Sequence, residues 1–202
     1  MQRIQTTKTI IDKEFHWEAG HRVWSQTLDT KYTHRGDSCC ACRHLHGHSY
    51  RAKILLEETI PGDNIKDTGM VLDFKMIGFM KDFIDDVLDH KMLFDINDPL
   101  LQDELPRLFE DNELKNVFKI DEYFIPDLNK LGIDLQSDEE KDKAVKEKYE
   151  GIVLVDFIPT SENIAGWLLR IATNKLKDLE HVKVTGVELW ETPKSHVKVL
   201  AQ

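Results

Sequence analysis

The sequence predicts an α+β fold in which an antiparallel four-stranded sheet carries two helices on one face. Three observations point there. Alternating stretches rich in β-branched and aromatic residues come in two pairs, one near each end of the chain. Two stretches of helical periodicity lie between the pairs, and a strongly acidic segment at about 101–150 interrupts the pattern instead of continuing it. A sheet covered by helices is the economical way to bury such faces. With 202 residues the chain can bury one core unaided and is short for a second, so a single domain over 1–202 with an insertion at about 101–150 is expected.

Each element has its own signal. The run from Thr9 to Val23 reads as a first strand, and His48 to Leu56 as a second, with Tyr50, Ala52, Ile54 and Leu56 on one face and Ser49, Arg51, Lys53 and Glu57 off it. Asp73 is placed to cap a helix whose apolar residues are Ile77, Met80, Ile84 and Val87. Thr160 is placed to cap another, carrying Ile164, Leu168 and Ile171. The last two strands come from VKVTGVELWET and HVKVLA, where Gly186 breaks the alternation and predicts a bulge and Pro193 marks the turn. In the acidic segment, with 15 Asp or Glu against 8 Lys or Arg, LQDELPRLFEDNELKNVF and SDEEKDKAVKEKYEG read as surface helices separated by a loop around Pro126 and Gly132. Such a segment rides on a core domain, or forms a lid or a subunit contact.

Composition narrows the function. A formal charge of minus ten disfavours nonspecific binding to nucleic acid or anionic membranes, although a local basic pocket can still hold a phosphate ester. No apolar run approaches the ~20 residues that span a bilayer. The start, MQRIQTTKTIIDKEF, has no secretory h-region, so a cytoplasmic address is expected. Cys39, Cys40 and Cys42 are too crowded for a spaced disulfide framework and point to thiol chemistry in a reducing compartment.

His46 and His48 lie two apart on a strand, so both imidazoles leave one face about 7 Å apart at ~3.3 Å per residue. That suits a shared zinc, and His21 is the natural third ligand if the first two strands pair. Three nitrogens with an open position describe a catalytic zinc. Other readings stay open: two surface histidines, a Cys2His2 structural knot through Cys39 and Cys42, or a redox C-x-x-C. Cys42 is either an inert thiol or, beside Arg43 and a metal, a base or nucleophile. Asp89 and His90 form a base-orienting pair or simply end a helix. Glu191 faces solvent or accepts paired N–H groups from a heterocycle.

The pieces WEAGHRV, C-R-H-L-HGHSY, GMVLDF, VLDHKML, PTSENIA and VELWET, in this order, resemble the 6-pyruvoyl-tetrahydropterin synthase and 6-carboxytetrahydropterin synthase family. The resemblance implies a T-fold subunit that assembles into a homohexamer, a dimer of trimers, with active sites between neighbours. It implies Zn2+ on His21, His46 and His48, a catalytic Cys42, and Asp89 with His90 as a companion catalytic pair from an adjoining subunit. Thr160 and Glu191 are the implied substrate-binding residues, Glu191 anchoring a pterin ring. The implied substrate is 7,8-dihydroneopterin triphosphate. The short C-x3-HGH spacing looks like the bacterial carboxytetrahydropterin enzymes of queuosine and 7-deazaguanine biosynthesis, which release acetaldehyde and triphosphate; the pyruvoyl enzymes are the alternative. Cys39, Cys40 and the acidic segment depart from the minimal family core.

Overall fold

The computed structural model describes residues 8–27, 31 and 40–202; Cys39 lies outside them. In chain order the elements are β1 (Ile10–His21), β2 (His46–Glu58), α1 (Asp63–Thr68) and α2 (Gly78–Phe83). A 3-10 turn over Phe74–Ile77 leads into α2, and a π-helical stretch over Ile84–Leu88 follows it. Next come β3 (Lys91–Asp95), α3 (Leu101–Glu104), β4 (Phe109–Glu110), β5 (Glu113–Leu114), β6 (Val117–Ile120) and β7 (Tyr123–Pro126). The chain continues with α4 (Glu140–Glu150), β8 (Ile152–Val155), α5 (Ser161–Leu176), β9 (Val182–Thr192) and β10 (Ser195–Leu200).

Strand pairing corrects the expected four-stranded antiparallel sheet. The ladder has eight strands in the order β10-β9-β2-β1-β3-β8-β7-β6, and it is mixed. The four expected strands stand together at one end of that order. The added ones begin with β3, parallel to β1 through Ala19↔Lys91, Gly20↔Met92 and His21↔Leu93, and β8, parallel to β3. Both escape a search for alternation because IVLV is buried throughout and KMLFD nearly so: strands covered on both faces read as unbroken apolar runs.

Two compact units divide the chain. The first contains 8–17, Ser49–Asp86 and Ser161–Gln202. Here β2 turns Tyr50, Ala52, Ile54 and Leu56 inward, none more than 2% exposed, and β9 pairs antiparallel with both β2 and β10. The expected alternation is observed from Ser49 to Ile54; beyond it Leu55 and Glu57 are buried too, so Glu57 does not face outward as expected. Asp73 accepts a hydrogen bond from the Lys75 N–H at 2.9 Å and starts the helical run, whose residues Ile77, Met80 and Ile84 are fully buried. Fully burying such side chains contributes about 1.5–3 kcal/mol each. Helix α5 buries Ile164, Ala165, Trp167, Leu168 and Ala172, while Ile171 is only half-buried. At the expected bulge, β2 passes from Leu55↔Gly186 to Leu56↔Val184 and leaves Thr185 over. A Cβ on Gly186 would meet the Val199 carbonyl oxygen at 2.6 Å, so only glycine fits where three strands close up.

The second unit takes in the described residues of Glu18–His48 and Val87–Thr160. Its core joins Phe94 and Leu154 from β3 and β8 to Leu101, Leu105, Leu108 and Tyr149 of the acidic segment. That segment is thus packed on apolar side chains of its own and is not simply a surface rider. Its second half forms the expected helix, α4. Its first half does not: Pro106 ends α3 after one turn, and Asp111 and Asn112, with φ of 52° and 64°, close a two-residue hairpin between β4 and β5. A second hairpin, β6 to β7, adds antiparallel to β8. The spacing of Leu101, Leu105 and Leu108 imitates a helix, yet all three face one core across a turn.

Candidate active site

Strand β1 alternates buried Phe15, Trp17, Ala19 and His21 with residues that face outward, so His21, 1% exposed, prolongs the apolar face of its strand. On β2, His46 and His48 likewise share the face of Tyr50 and Ala52. Gly47 between them lets the strands close: a Cβ there would stand 2.9 Å from the Ala19 carbonyl oxygen.

The three rings converge. Centroids are 4.4 Å apart for His21 and His46, 5.2 Å for His21 and His48, and 4.9 Å for His46 and His48. One ligand nitrogen from each lies within 4.8 Å of the others, and among the described residues neither Cys40 nor Cys42 joins this group. Two of the rings are set by the main chain. His21 donates Nδ1–H to the Pro159 oxygen at 2.6 Å, and His46 donates Nδ1–H to the His44 oxygen at 2.8 Å. Each bond fixes the tautomer and leaves Nε2 with its lone pair. His46 Nε2 is buried and meets no hydrogen-bond partner among the described residues. A buried imidazole nitrogen with a free lone pair, in a set of three, fits a cation such as zinc, so these residues could hold a metal ion.

Cys42 sits in a single 3-10 turn, Ala41–Arg43, just before β2, and is a half-buried free thiol. Its N–H donates to the Gln26 side-chain oxygen at 3.0 Å, and its carbonyl accepts from the Val23 N–H at 2.8 Å. Sequence reasoning missed Gln26, since nothing in its local pattern distinguishes it.

Asp89 and His90 form the expected pair, with His90 Nδ1 3.0 Å from an Asp89 oxygen. The pair is clipped to β1 by two bonds: the Glu18 N–H donates to Asp89 at 2.9 Å, and the His90 N–H donates to the Glu18 oxygen at 2.7 Å. The Glu18 N–H holds the Asp89 carboxyl below its ordinary range, burial opposes it, and the His90 contact adds to the lowering. His90 takes a left-handed backbone, φ 57°, and its side chain is 80% exposed. Glu18 precedes His21 by three positions, about 10 Å of extended strand.

Thr160 directly precedes α5, next to the Pro159 carbonyl that orients His21. Glu191 belongs to the other unit, half-buried near the end of β9. Three basic side chains that could otherwise meet a phosphate ester are engaged within the protein. Arg22 lies 3.4 Å from the buried Asp98, Arg51 stacks on Trp190 at 4.1 Å, and Lys53 lies 3.1 Å from Asp12. Arg43 and Lys194 are exposed.

The family described as 6-pyruvoyl tetrahydropterin synthase matches residues 10–202. A relative from Aquifex aeolicus (strain VF5), named 6-carboxy-5,6,7,8-tetrahydropterin synthase, is 32% identical over 92% of this chain and 93% of its own length. A relative of the same name from Rickettsia bellii (strain RML369-C) is 25% identical, over 93% of this chain and 96% of its own. The crystal structure of an uncharacterized protein from Wolinella succinogenes superposes with a TM-score of 0.82 at 36% identity, covering 97% of this chain and 99% of that one. That of Caenorhabditis elegans 6-pyruvoyl tetrahydropterin synthase, 17% identical, gives 0.51 with 97% of each chain covered, a likeness of fold.

Proposed function

The chain belongs to the 6-pyruvoyl tetrahydropterin synthase family, and on that footing we propose that it is a zinc-dependent 6-carboxy-5,6,7,8-tetrahydropterin synthase. It would act as a lyase on 7,8-dihydroneopterin triphosphate and release acetaldehyde and triphosphate. The observation that carries this reading is the convergence of His21, His46 and His48, with Nδ1 of the first two already engaged by main-chain oxygens. The names of the two relatives favour the carboxy product over the pyruvoyl one.

In this reading the three imidazoles would hold zinc. When bound, zinc supplies Lewis-acid stabilisation to the side-chain oxygens of the substrate as negative charge develops on them. Cys42, as a thiolate, takes or relays the proton from the neighbouring C–H. Asp89 fixes the ring orientation of His90, which serves as the second acid/base group. Glu191 accepts paired N–H groups of the pterin ring, and Thr160 lies among the substrate-binding residues. Because the Asp89–His90 pair is fastened about 10 Å along β1 from His21 and His90 is exposed, the pair is suited to serve the metal of a neighbouring copy. We accordingly place the enzyme in a homohexamer, in the cytoplasm, in queuosine and 7-deazaguanine biosynthesis.

Incubation of the metallated protein with 7,8-dihydroneopterin triphosphate, followed by product identification, tests this. Carboxytetrahydropterin with acetaldehyde supports it, and pyruvoyltetrahydropterin moves the protein to the other branch. Unchanged substrate from fully metallated protein sinks both and leaves a non-catalytic, metal-stabilised interaction module.

A further inference from the structure

The residues that follow His21 form a tight turn, closed by the Gln26 N–H donating to the Val23 oxygen at 3.1 Å. Both backbone polar groups of Cys42 are bonded to this turn. Its N–H goes to Gln26 Oε1 at 3.0 Å, and its oxygen takes the Val23 N–H at 2.8 Å. The helical turn around Cys42 spans three residues, with no helix of its own beyond Arg43, so it supplies little rigidity by itself. The orientation of the thiol therefore depends on what the neighbouring turn provides.

That turn is in its own right fastened by two side chains. Trp24 donates its indole N–H to Asp95 at 2.8 Å, and Arg22 lies 3.4 Å from Asp98. Asp95 and Asp98 are 2% and 4% exposed; Asp95 ends β3 and Asp98 lies in the loop that leads from it into α3, the entrance to the acidic segment. Other bonds brace that loop: Asp95 accepts from the Asn97 N–H at 2.9 Å and from its side-chain amide at 3.0 Å, and Asp98 accepts from the Leu100 N–H at 2.8 Å. A set of contacts thus runs from the residues just before the acidic segment, through Trp24 and Arg22, to the turn that holds Gln26 and the main chain of Cys42.

We infer that Gln26 is a positioning residue for Cys42, and that Trp24 and Arg22 anchor it to the root of the acidic segment. The inference rests on the reading of Cys42 as the reactive thiol. The chemistry of Gln26 suits the task, because a side-chain amide oxygen is a neutral acceptor that holds the N–H without setting a charge against a thiolate. A misplacement of the thiol by about 1 Å is enough to cost on the order of 10²-fold in rate.

Gln26→Met keeps the length of the side chain and removes the acceptor; Gln26→Glu keeps an acceptor. For Gln26→Met we expect full zinc content, kcat lowered about 10- to 100-fold, and KM within about twofold. The amide of Cys42 should exchange hydrogen about 3- to 10-fold faster in Gln26→Met and near the wild-type rate in Gln26→Glu. Trp24→Phe, which keeps the ring and loses the N–H, should lower kcat several-fold with unchanged zinc. Wild-type exchange at Cys42 in Gln26→Met overturns the proposal, whatever the activity. So does wild-type kcat in both Gln26→Met and Trp24→Phe. If Cys42→Ala itself keeps turnover, the role given to the thiol fails, while the exchange rates still decide whether Gln26 positions it.

Discussion

His21 donates its Nδ1–H to the main-chain oxygen of Pro159, 138 positions away in the chain, at 2.6 Å. One backbone carbonyl, placed just before α5, therefore decides which nitrogen of a β1 histidine is left to bind. A carbonyl cannot be removed by substitution, so the site is better tested at the rings and at the thiol.

His46→Ala should lose bound zinc, and His21→Ala likewise, because each leaves two imidazoles where three converged. Cys42→Ala should retain zinc and lose turnover by about 10²- to 10⁴-fold. Metal content by elemental analysis, set beside steady-state rates, separates the two. Release of zinc from Cys42→Ala would show that sulfur is a ligand.

Asp89→Asn should keep zinc and lower kcat, and its effect on stability should depend on pH in one direction. The folded carboxyl is held below its unfolded value of ~3.9, chiefly by the Glu18 N–H. A lowered pKa means that the folded state favours the ionised form, so the contribution is full above the unfolded value and fades as pH falls through the folded one. Denaturant midpoints of wild type and Asp89→Asn should therefore approach one another below about pH 4. A gap that widens on acidification reverses the assignment.

Two glycines should separate stability from binding. Gly186→Ala forces a Cβ onto the Val199 oxygen and should cost about 1–3 kcal/mol in unfolding free energy, with zinc affinity retained. Gly47→Ala presses on the Ala19 oxygen between the strands that bear the histidines, and should weaken zinc binding as well. Titration with a competing chelator measures the difference.

Leu105→Ala should destabilise the protein by about 2–5 kcal/mol, since its side chain is 1% exposed among Leu101, Leu108 and Tyr149. Phe118→Ala, on the half-exposed surface of β6, should stay within about 0.5 kcal/mol. Urea unfolding monitored by fluorescence distinguishes a buried segment from an appended one.

What was legible in the sequence follows from how each interaction is encoded. Period two placed Tyr50, Ala52, Ile54 and Leu56 on the face that is in fact buried, and Gly186 gave away the bulge because a missing side chain is visible in a string of letters. β3 and β8 were not visible, since a strand covered on both sides has no polar alternation to show. The hairpin at Asp111 and Asn112 was hidden by Leu101, Leu105 and Leu108, which have helical spacing and a different cause. The three histidines could be singled out because imidazoles at fixed spacing on strands are a chemical signal. The groups that orient them, the oxygens of Pro159 and His44, belong to the main chain, and every residue carries such an oxygen.

β3 and β8 run the same way, so the chain cannot join them with a tight reversal. It has to travel back from one end of the pair to the other, and residues 96–151 make that journey. The acidic stretch is for this reason a return path as well as an addition. Relatives are free to shorten or redecorate it, but any that keep these two neighbouring strands aligned must retain a dozen or so residues of detour.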